Sequence, residues 1–350
     1  MTSGPRILFL ADAGPEVGGG HVVRCLTLAR ALAAHGAECA FVESRAAAPI
    51  LRRFGWPEET LLAMIAAEDL TGLVKWGREF ADRFQADMVV VDHYGAGTAE
   101  ETALRGAGRR VAVLDDLANR PHACDLLVDP GFGRRREHYG ELVDDACMTL
   151  VGPDHALVRA EFVQARPRAL SRRARHEPVR RALVSFGLTD VGGVAARAVA
   201  VLAERLGDVR LDVTLGRDAP SLEAVSALAG HDRRVRLHLD ASDMASLAAD
   251  ADIAIGAGGS SVWERACLGL PSVTAVLADN QAEMVGRLGE AGAVLALDAR
   301  DAGFETALTE AWDRLVADRE LRWALCNRSS ELCDGRGAER VAQAMLGLLR

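Results

Sequence analysis

The feature that most constrains the fold is a repeated alternation of short, apolar, β-rich runs with longer helical segments. The unit recurs along a chain of 350 residues. Such alternation predicts parallel sheets covered by helices, because parallel strands need a long crossover that a helix can supply. A chain of this length also exceeds the usual size of one hydrophobic core. The sequence therefore predicts an α/β protein with two domains.

The predicted elements fill both halves of the chain. A helix is predicted over His21–His35, where Val22, Leu26 and Ala29 recur at helical spacing. The predicted strands of the first half are Arg6–Ala11, Cys39–Glu43, Met88–Asp92, Val111–Asp115, Leu126–Asp129 and Met148–Val151. Those of the second half are Ala182–Phe186, Leu211–Leu215, Val235–Leu239, Ile253–Ile255 and Val273–Val276. The closing helices are predicted near Glu305–Val316, Arg319–Glu331 and Ala338–Leu349.

An arginine-rich segment separates the two halves. Residues 166–181 hold seven arginines and two prolines without a clean apolar period, which predicts a linker. The predicted domains are therefore 1–165 and 182–335, with residues 336–350 forming a helix that packs back towards the first domain. A nucleic-acid-binding arm is the alternative for the linker, and the net charge of −9 disfavours it.

The basic residues are almost all arginine, since Lys75 is the single lysine. A Walker phosphate loop, which needs Gly-Lys-Ser/Thr, is thereby excluded. The acidic balance and the pI of about 5.6 argue against nucleic acid as a partner. An anionic ligand would have to be held by local groups rather than by the overall field.

The sequence contains no motif typical of a signal peptide, a membrane helix or a zinc site. The sequence has no apolar run of the roughly 18–20 residues that a membrane helix needs, and its first apolar run indicates a strand rather than a signal peptide. The seven cysteines are scattered, with no Cys-x-x-Cys pair. They predict reduced thiols in a cytoplasmic protein and no zinc site.

A glycine triplet follows the first predicted strand. Gly18, Gly19 and Gly20 let the backbone approach a ligand closely, and the helix that follows directs amides to the same place. His21 stands at the start of that helix. The triplet does not match the dinucleotide G-x-G-x-x-G, and a flexible turn with an incidental histidine is the plainer alternative.

The second half holds a comparable turn in residues 256–271. Gly258 and Gly259 open the turn, while Ser260 and Ser261 can cap the next helix and donate hydroxyls to phosphate. Glu264 can accept two hydrogen bonds from a ribose diol. Its alternative role is a first-turn acid that complements the helix dipole.

Three further strand ends carry polar or glycine residues. Gly187 lies in the turn 185–190, and Asp92 and Tyr94 lie in the sequence Val-Asp-His-Tyr of residues 91–94. Asn280 and Gln281 begin a predicted helix and can bind sugar hydroxyl or acetamido groups; as plain capping residues they need no ligand. The carboxyl ends of parallel strands are where doubly wound sheets bind ligands, which favours a site here.

Taken in order, these motifs resemble a known family. GGGHVVRCLTLA, VDHY, LDDLA, SFGLTD, GAGGSSVWERACLGLP, DNQ and DGRGAERV are similar to motifs of the UDP-sugar hydrolases of pseudaminic acid biosynthesis, which supplies flagellin glycosylation. That family is related to the GT-B glycosyltransferase that adds N-acetylglucosamine to lipid-linked muramyl peptide. The resemblance covers almost the whole chain. It implies a GT-B fold, with two Rossmann-like domains whose parallel sheets face each other across a cleft.

The resemblance also implies an activity and a set of residues. The reaction is hydrolysis of UDP-2,4-diacetamido-2,4,6-trideoxy-β-L-altrose to UDP and free sugar without cofactor or metal. We expect a monomer, because the chain already supplies both walls of the predicted cleft. Its partners are thus the UDP-sugar and UDP. The candidate catalytic residues are His21, as the base that activates water for inverting attack at C1, and Tyr94, Asn280 and Asp12. The candidate UDP- and substrate-binding residues are Gly18, Gly19, Gly20, Arg24, Asp92, Gly187, Met244, Gly258, Gly259, Ser260, Ser261, Glu264 and Gln281.

Two positions depart from the family pattern. The family usually has arginine where this chain has Leu10, and a second glycine where it has Leu188. The alternatives to a hydrolase are a GT-B glycosyltransferase that uses another acceptor, a UDP-N-acetylglucosamine 2-epimerase, and a non-catalytic nucleotide-sugar binding module. The epimerase would need more carboxylates near the sugar than these motifs supply.

Overall fold

The alternating pattern folds into two parallel sheets, each belonging to its own compact unit. The computed structural model describes residues 4–14, 17–57, 60–65, 70–106 and 108–350. Unit 1 comprises the chain up to Leu157 together with Arg336–Arg350, and unit 2 comprises Val158–Gly335. Within the described ranges, no helix is long and apolar enough to cross a membrane.

The sheet of unit 1 has, among the described residues, seven strands in the order β3-β2-β1-β4-β5-β6-β7. Every pairing between them is parallel. The order reverses direction between β1 and β4, which makes the carboxyl ends of these two strands the switch point of the sheet. The strands are β1 (Arg6–Ala11), β2 (Glu38–Ser44), β3 (Leu61–Ile65), β4 (Met88–Asp92), β5 (Arg110–Leu114), β6 (Leu126–Asp129) and β7 (Met148–Val151).

Helices cover both faces of this sheet, because successive residues of a strand point to opposite sides. Ile7 and Phe9 of β1 belong to one buried cluster, which includes side chains of α1, α2 and α13. Leu8 and Leu10 belong to a second cluster with side chains of α3 and α4. The helices are α1 (Gly20–Ala34), α2 (Ala47–Arg53), α3 (Leu70–Phe84), α4 (Thr98–Arg105) and, from the end of the chain, α13 (Gly337–Leu348).

The sheet of unit 2 repeats the arrangement in the order β10-β9-β8-β11-β12-β13, again with parallel pairings. Its switch point lies between β8 and β11. The strands are β8 (Arg181–Ser185), β9 (Arg210–Leu215), β10 (Val235–Leu239), β11 (Ile253–Ala257), β12 (Ser272–Val276) and β13 (Leu295–Asp298). The helices are α5 (Ala160–Arg173), α6 (Val194–Ala203), α7 (Leu222–His231), α8 (Met244–Asp250), α9 (Ser261–Cys267), α10 (Asp279–Glu290), α11 (Phe304–Ala317) and α12 (Arg319–Leu332).

The arginine-rich segment is not an extended linker, contrary to the prediction for residues 166–181. Its first half belongs to α5, which contains Pro167 and packs against α8 and α9. The arginines are tied into unit 2: Arg166 donates to the carbonyls of Ser330 and Cys333, and Arg172 donates to Asp252. Hydrogen bonds to carbonyl and carboxylate oxygens thus hold a segment that has little apolar surface of its own.

Candidate functional site

The switch point of unit 1 gathers the polar side chains that follow β1 and β4. Parallel register places Ala11 opposite Asp92, and the amide of Asp12 donates to the carbonyl of Asp92 over 2.8 Å. Helix α1 begins at Gly20 beside these strand ends, after Gly18, which has a left-handed φ of 77°. That conformation suits glycine and turns the chain into the helix.

A buried ion-pair chain starts from His21. Its Nδ1 lies 3.3 Å from Oδ1 of Asp92, and the side chains are 6% and 0% exposed. Arg24, one turn further along α1, donates to both carboxylate oxygens of Asp92 over 2.6 Å. The same guanidinium donates to Asp116 over 2.8 Å, so one arginine links the carboxylates that follow β4 and β5.

Two neighbours complete this cluster. The ring of Tyr94 meets that of His21 edge to face, with centroids 4.5 Å apart, and its hydroxyl donates to Asp116 over 3.4 Å. His93 Nε2 lies 3.7 Å from Oδ2 of Asp12. Of the residues predicted for this half, the structure thus brings together His21, Tyr94, Asp12, Arg24 and Asp92. Asp116 was not among the predicted residues, although it stands in the quoted LDDLA motif directly after a strand.

The electrostatics keep the histidine neutral and the carboxylate ionised. Burial lowers the pKa of His21, and Asp92 opposes that shift only in part. Burial by itself would raise the pKa of Asp92, but Arg24 and His21 outweigh it and the pKa is lowered. The cluster therefore holds a neutral imidazole against a fixed anion at neutral pH, an arrangement that suits proton transfer.

The glycine turn of unit 2 combines close packing with open space. A Cβ on Gly256 would lie 2.7 Å from the carbonyl oxygen of Ser185, and one on Gly258 would clash with Val285. A Cβ on Gly259 would meet nothing within 4 Å, nor would one on Gly187, whose φ is +95°. The first two glycines let the strands and helices pack, while the other two leave backbone open to a ligand.

A buried cation lies against this turn and was not predicted. Arg265 is 6% exposed and donates to the carbonyl of Ala257, to Thr274 and to Ser261. Burial lowers its pKa to about 10, so it remains charged at neutral pH. The sequence offered only its place inside the SVWERAC helix, where arginine is commonly a solvated residue. Arg265 therefore places a positive charge beside this turn, although no lysine lies near it in the sequence.

The predicted ribose-binding glutamate has a protein partner. Arg159 donates from Nε to Oε1 of Glu264 over 2.6 Å and from Nη2 to Oε2 over 3.1 Å. Burial opposes the charge on Arg159, yet Glu264 raises its pKa above the ordinary value. The pair fixes the direction of the carboxylate, and each carboxylate oxygen keeps a lone pair for a hydroxyl donor. Arg159, next to the start of α5, was not predicted.

The remaining predicted residues lie at helix starts of unit 2. Ser260 has the N-cap position of α9, but its side chain makes no capping hydrogen bond, so that part of the prediction was wrong. Gln281 accepts from the amide of Leu277 over 3.0 Å, which is a local turn contact. Asn280 is exposed at the start of α10, and Met244 is half-buried at the start of α8.

Comparisons with known proteins give distant but extensive likenesses. No family model matches the chain. It is 23% identical over 244 residues to the UDP-2,4-diacetamido-2,4,6-trideoxy-β-L-altropyranose hydrolase of Campylobacter jejuni, covering 69% of this chain and 81% of that protein. It is 24% identical over 345 residues to the spore coat polysaccharide biosynthesis protein SpsG of Bacillus subtilis, covering 97% of both.

Solved structures establish the fold class. MurG of Acinetobacter baumannii superimposes with a TM-score of 0.67 at 16% identity over 98% of this chain and 99% of that one. The UDP-N-acetylglucosamine 2-epimerase of Neisseria meningitidis gives 0.68 at 12% identity over 98% and 99%. The predicted class, an α/β protein of GT-B type with two Rossmann-like units, is confirmed.

Proposed function

We propose that the chain is an enzyme acting on UDP-sugars in sugar biosynthesis, and that it hydrolyses a UDP-linked 2,4-diacetamido-2,4,6-trideoxy sugar to UDP and free sugar. The likeness to the Campylobacter jejuni hydrolase supports the substrate class. The observation that carries the reaction type is the buried His21–Asp92–Arg24 arrangement, because it supplies a neutral base beside a fixed carboxylate. A cytoplasmic location and a monomeric state remain predictions.

Nucleotide binding is assigned to unit 2. The open backbone at Gly259 and Gly187 and the buried charge of Arg265 suit a diphosphate, since amide dipoles and a desolvated cation stabilise anions strongly. Glu264, oriented by Arg159, would accept hydrogen bonds from the ribose diol. This division needs neither lysine nor a basic overall field.

Water activation is assigned to His21. Nδ1 of His21 lies 3.3 Å from Oδ1 of Asp92 without a hydrogen bond in this geometry. We place the imidazole proton on Nδ1, so that Nε2 can accept a proton from water. The hydroxide formed attacks C1 of the sugar, and the bond between C1 and the diphosphate oxygen breaks with its electron pair leaving on UDP. Anionic Asp92 then stabilises the imidazolium, as the carboxylate of a Ser-His-Asp triad does.

The test is hydrolysis in water enriched in oxygen-18. The purified chain is incubated with the UDP-diacetamido-altrose compound or with UDP-N-acetylglucosamine and no acceptor, and UDP and free sugar are followed together. We expect stoichiometric release with label in the sugar and inverted configuration at C1. Label in UDP would overturn attack at carbon, and UDP release only on addition of an acceptor would indicate a transferase.

Histidines at the two ends of helix α1 give a matched pair of variants. His21→Ala should lower kcat by about 10²–10⁴-fold while UDP binding, measured by calorimetry, stays within about twofold. His35→Ala removes an exposed histidine at the other end of α1 that contacts Glu339, and should leave both values unchanged. Near-normal turnover in His21→Ala would remove His21 from the mechanism.

A further inference from the structure

Four guanidinium groups line a pocket at the amino edge of the unit 2 sheet. Arg172 and Arg173 come from the end of α5 and Arg319 and Arg322 from the start of α12, and all four line one pocket. Asp252 and Pro271, which also line it, directly precede β11 and β12. The pocket thus lies at the edge opposite the carboxyl strand ends, away from the glycine turns assigned to the nucleotide.

Arg173 is the least satisfied of these cations. Its Nη2 donates to the carbonyls of Ala248 and Ala251, over 3.0 and 3.1 Å. Its Nε and Nη1 are buried and have no acceptor among the described residues. Burial lowers the pKa of Arg173 to about 10, which leaves it charged at neutral pH. A buried cation with unpaired donors is destabilised unless an acceptor compensates it, and an anion compensates both the donors and the charge.

The protein's own acids do not supply that anion. Asp252 accepts from Arg172 through Oδ1, and its Oδ2 accepts from the amides of Arg180 and Arg181 over 2.8 and 2.9 Å. Glu177, the other acid of the lining, is exposed to solvent. Glu320, outside the lining, accepts from Nη2 of Arg319 over 3.1 Å. Among the described residues, Arg173 and Arg322 therefore remain as the lining cations that donate to backbone carbonyls and to no carboxylate.

One wall of the pocket is formed by two aromatic rings, one of which, His176, lies in a strained turn. The rings of His176 and Trp323 pack with their centroids 4.6 Å apart. His176 has a left-handed φ of 54° just after α5, a conformation that costs a non-glycine residue free energy. Trp323 is half-buried, so its indole borders the pocket and can report on events inside it.

We propose that this pocket binds a phosphate-type oxyanion, either inorganic phosphate or the phosphate group of a monoester. Guanidinium groups match the oxygens of phosphate with parallel N–H donors, and several of them around one pocket favour a divalent anion over chloride. Arg173 supplies the desolvated charge, and Arg319 and Arg322 approach from the facing helix. The site is independent of the nucleotide assignment.

The test is a titration of the full chain with inorganic phosphate at constant ionic strength, against chloride. Binding is followed by calorimetry and by tryptophan fluorescence. We expect saturable binding, with the fluorescence change lost in Trp323→Phe. Arg173→Gln and Arg319→Gln should each weaken binding about fivefold or more, and Arg319 is exposed, so its replacement leaves folding intact.

Arg168→Gln is the matched control, because Arg168 lies on the same helix α5, is exposed and pairs with Asp250 outside the pocket. It should bind phosphate as the unaltered chain does. Tighter binding of glycerol phosphate than of phosphate would assign the site to a phosphate monoester, and equal binding would assign it to the free ion. Unsaturable binding, or equal affinity in Arg319→Gln and Arg168→Gln, would overturn the proposal.

Discussion

The chemistry proposed for this chain depends on how a few side chains set one another's charge. His21 alone would be an ordinary buried histidine, and Asp92 alone an expensive buried anion. Arg24 stabilises the buried anion, because it donates to both carboxylate oxygens of Asp92 and also donates to Asp116. The three residues therefore act as one unit, and replacing Arg24 should change the pKa of His21 through its effect on Asp92.

The pH dependence of turnover follows from the same cluster. Burial lowers the pKa of His21 below the ordinary 6.5, so the neutral base persists below that pH. We expect the acid limb of kcat/KM to have an apparent pKa under 6.5, measured from pH 5 to 9 on a UDP-sugar substrate. The pair of His21 and Asp92 titrates jointly, so the limb reports the pair. An acid limb at 7 or above would contradict a buried neutral base.

The lowered pKa of His21 also makes the stability of the fold depend on pH. The unfolded chain binds a proton at His21 near pH 6.5, whereas the folded chain resists it. The contribution of this histidine to stability is therefore fully present above 6.5 and declines as the pH falls towards the folded pKa.

The clustering of His21, Asp92 and Tyr94 was predictable because motifs mark the strand ends where they lie, and their catalytic and binding roles stay predictions. Arg265 and Arg159 were not, because their importance comes from burial and from partners distant in the sequence. Arg159 lies 105 residues before Glu264, and nothing local indicates that pair. The phosphate pocket has the same character, since α5 and α12 meet only in the folded unit.

At the level of elements, the sequence predicted most strands of both sheets, but it missed two edge strands and one helix. Arg6–Ala11, Met88–Asp92, Leu126–Asp129, Met148–Val151 and Val235–Leu239 have the predicted bounds. The edge strands β3 and β13 were missed, whereas the edge strands β7 and β10 were predicted. None of the four residues of β13 is fully buried, so its sequence lacks the apolar run that marks the inner strands. Helix α5 was missed because Pro167 and its arginines hide a pattern with only Phe162 and Ala169 buried.

The start of α13 offers a sharp test of element packing. A Cβ on Gly337 would lie 2.6 Å from the carbonyl carbon of His155 and collide with the backbone of Ala156. Gly337→Ala should therefore destabilise unit 1 by about 1–3 kcal/mol, because two backbones must separate. Urea unfolding, with hydrogen exchange of α1 as the local readout, measures the change.

Gly347 lies in the same helix and provides the control. A Cβ there would meet nothing within 4 Å. Gly347→Ala should be neutral or stabilising by up to about 1 kcal/mol, the gain in helix propensity. Equal destabilisation by both substitutions would mean that the close approach at Gly337 is not what limits the packing.

At the scale of the whole molecule, unit 1 is built from two segments that lie at opposite ends of the chain. The chain completes unit 2 and then returns its last helix to unit 1, where Val341, Ala342 and Met345 are fully buried. The pattern that predicted a helix over Ala338–Leu349 identified the element, and the structure places it against α1. The sequence prediction had this helix pack back towards the first domain but did not name the element it covers, because periodicity marks an apolar stripe and not its partner.

A truncation separates the two units experimentally. Ending the chain after Gly335 should remove protection from hydrogen exchange in α1 and β1, because their cluster loses three fully buried side chains. The strands β8–β13 should keep their protection, since α13 belongs to unit 1. Met345→Ala tests the same point within the intact chain and should cost about 2–5 kcal/mol, confined to unit 1. Loss of hydrogen-exchange protection in unit 2 before unit 1 would contradict the assignment of α13 to unit 1.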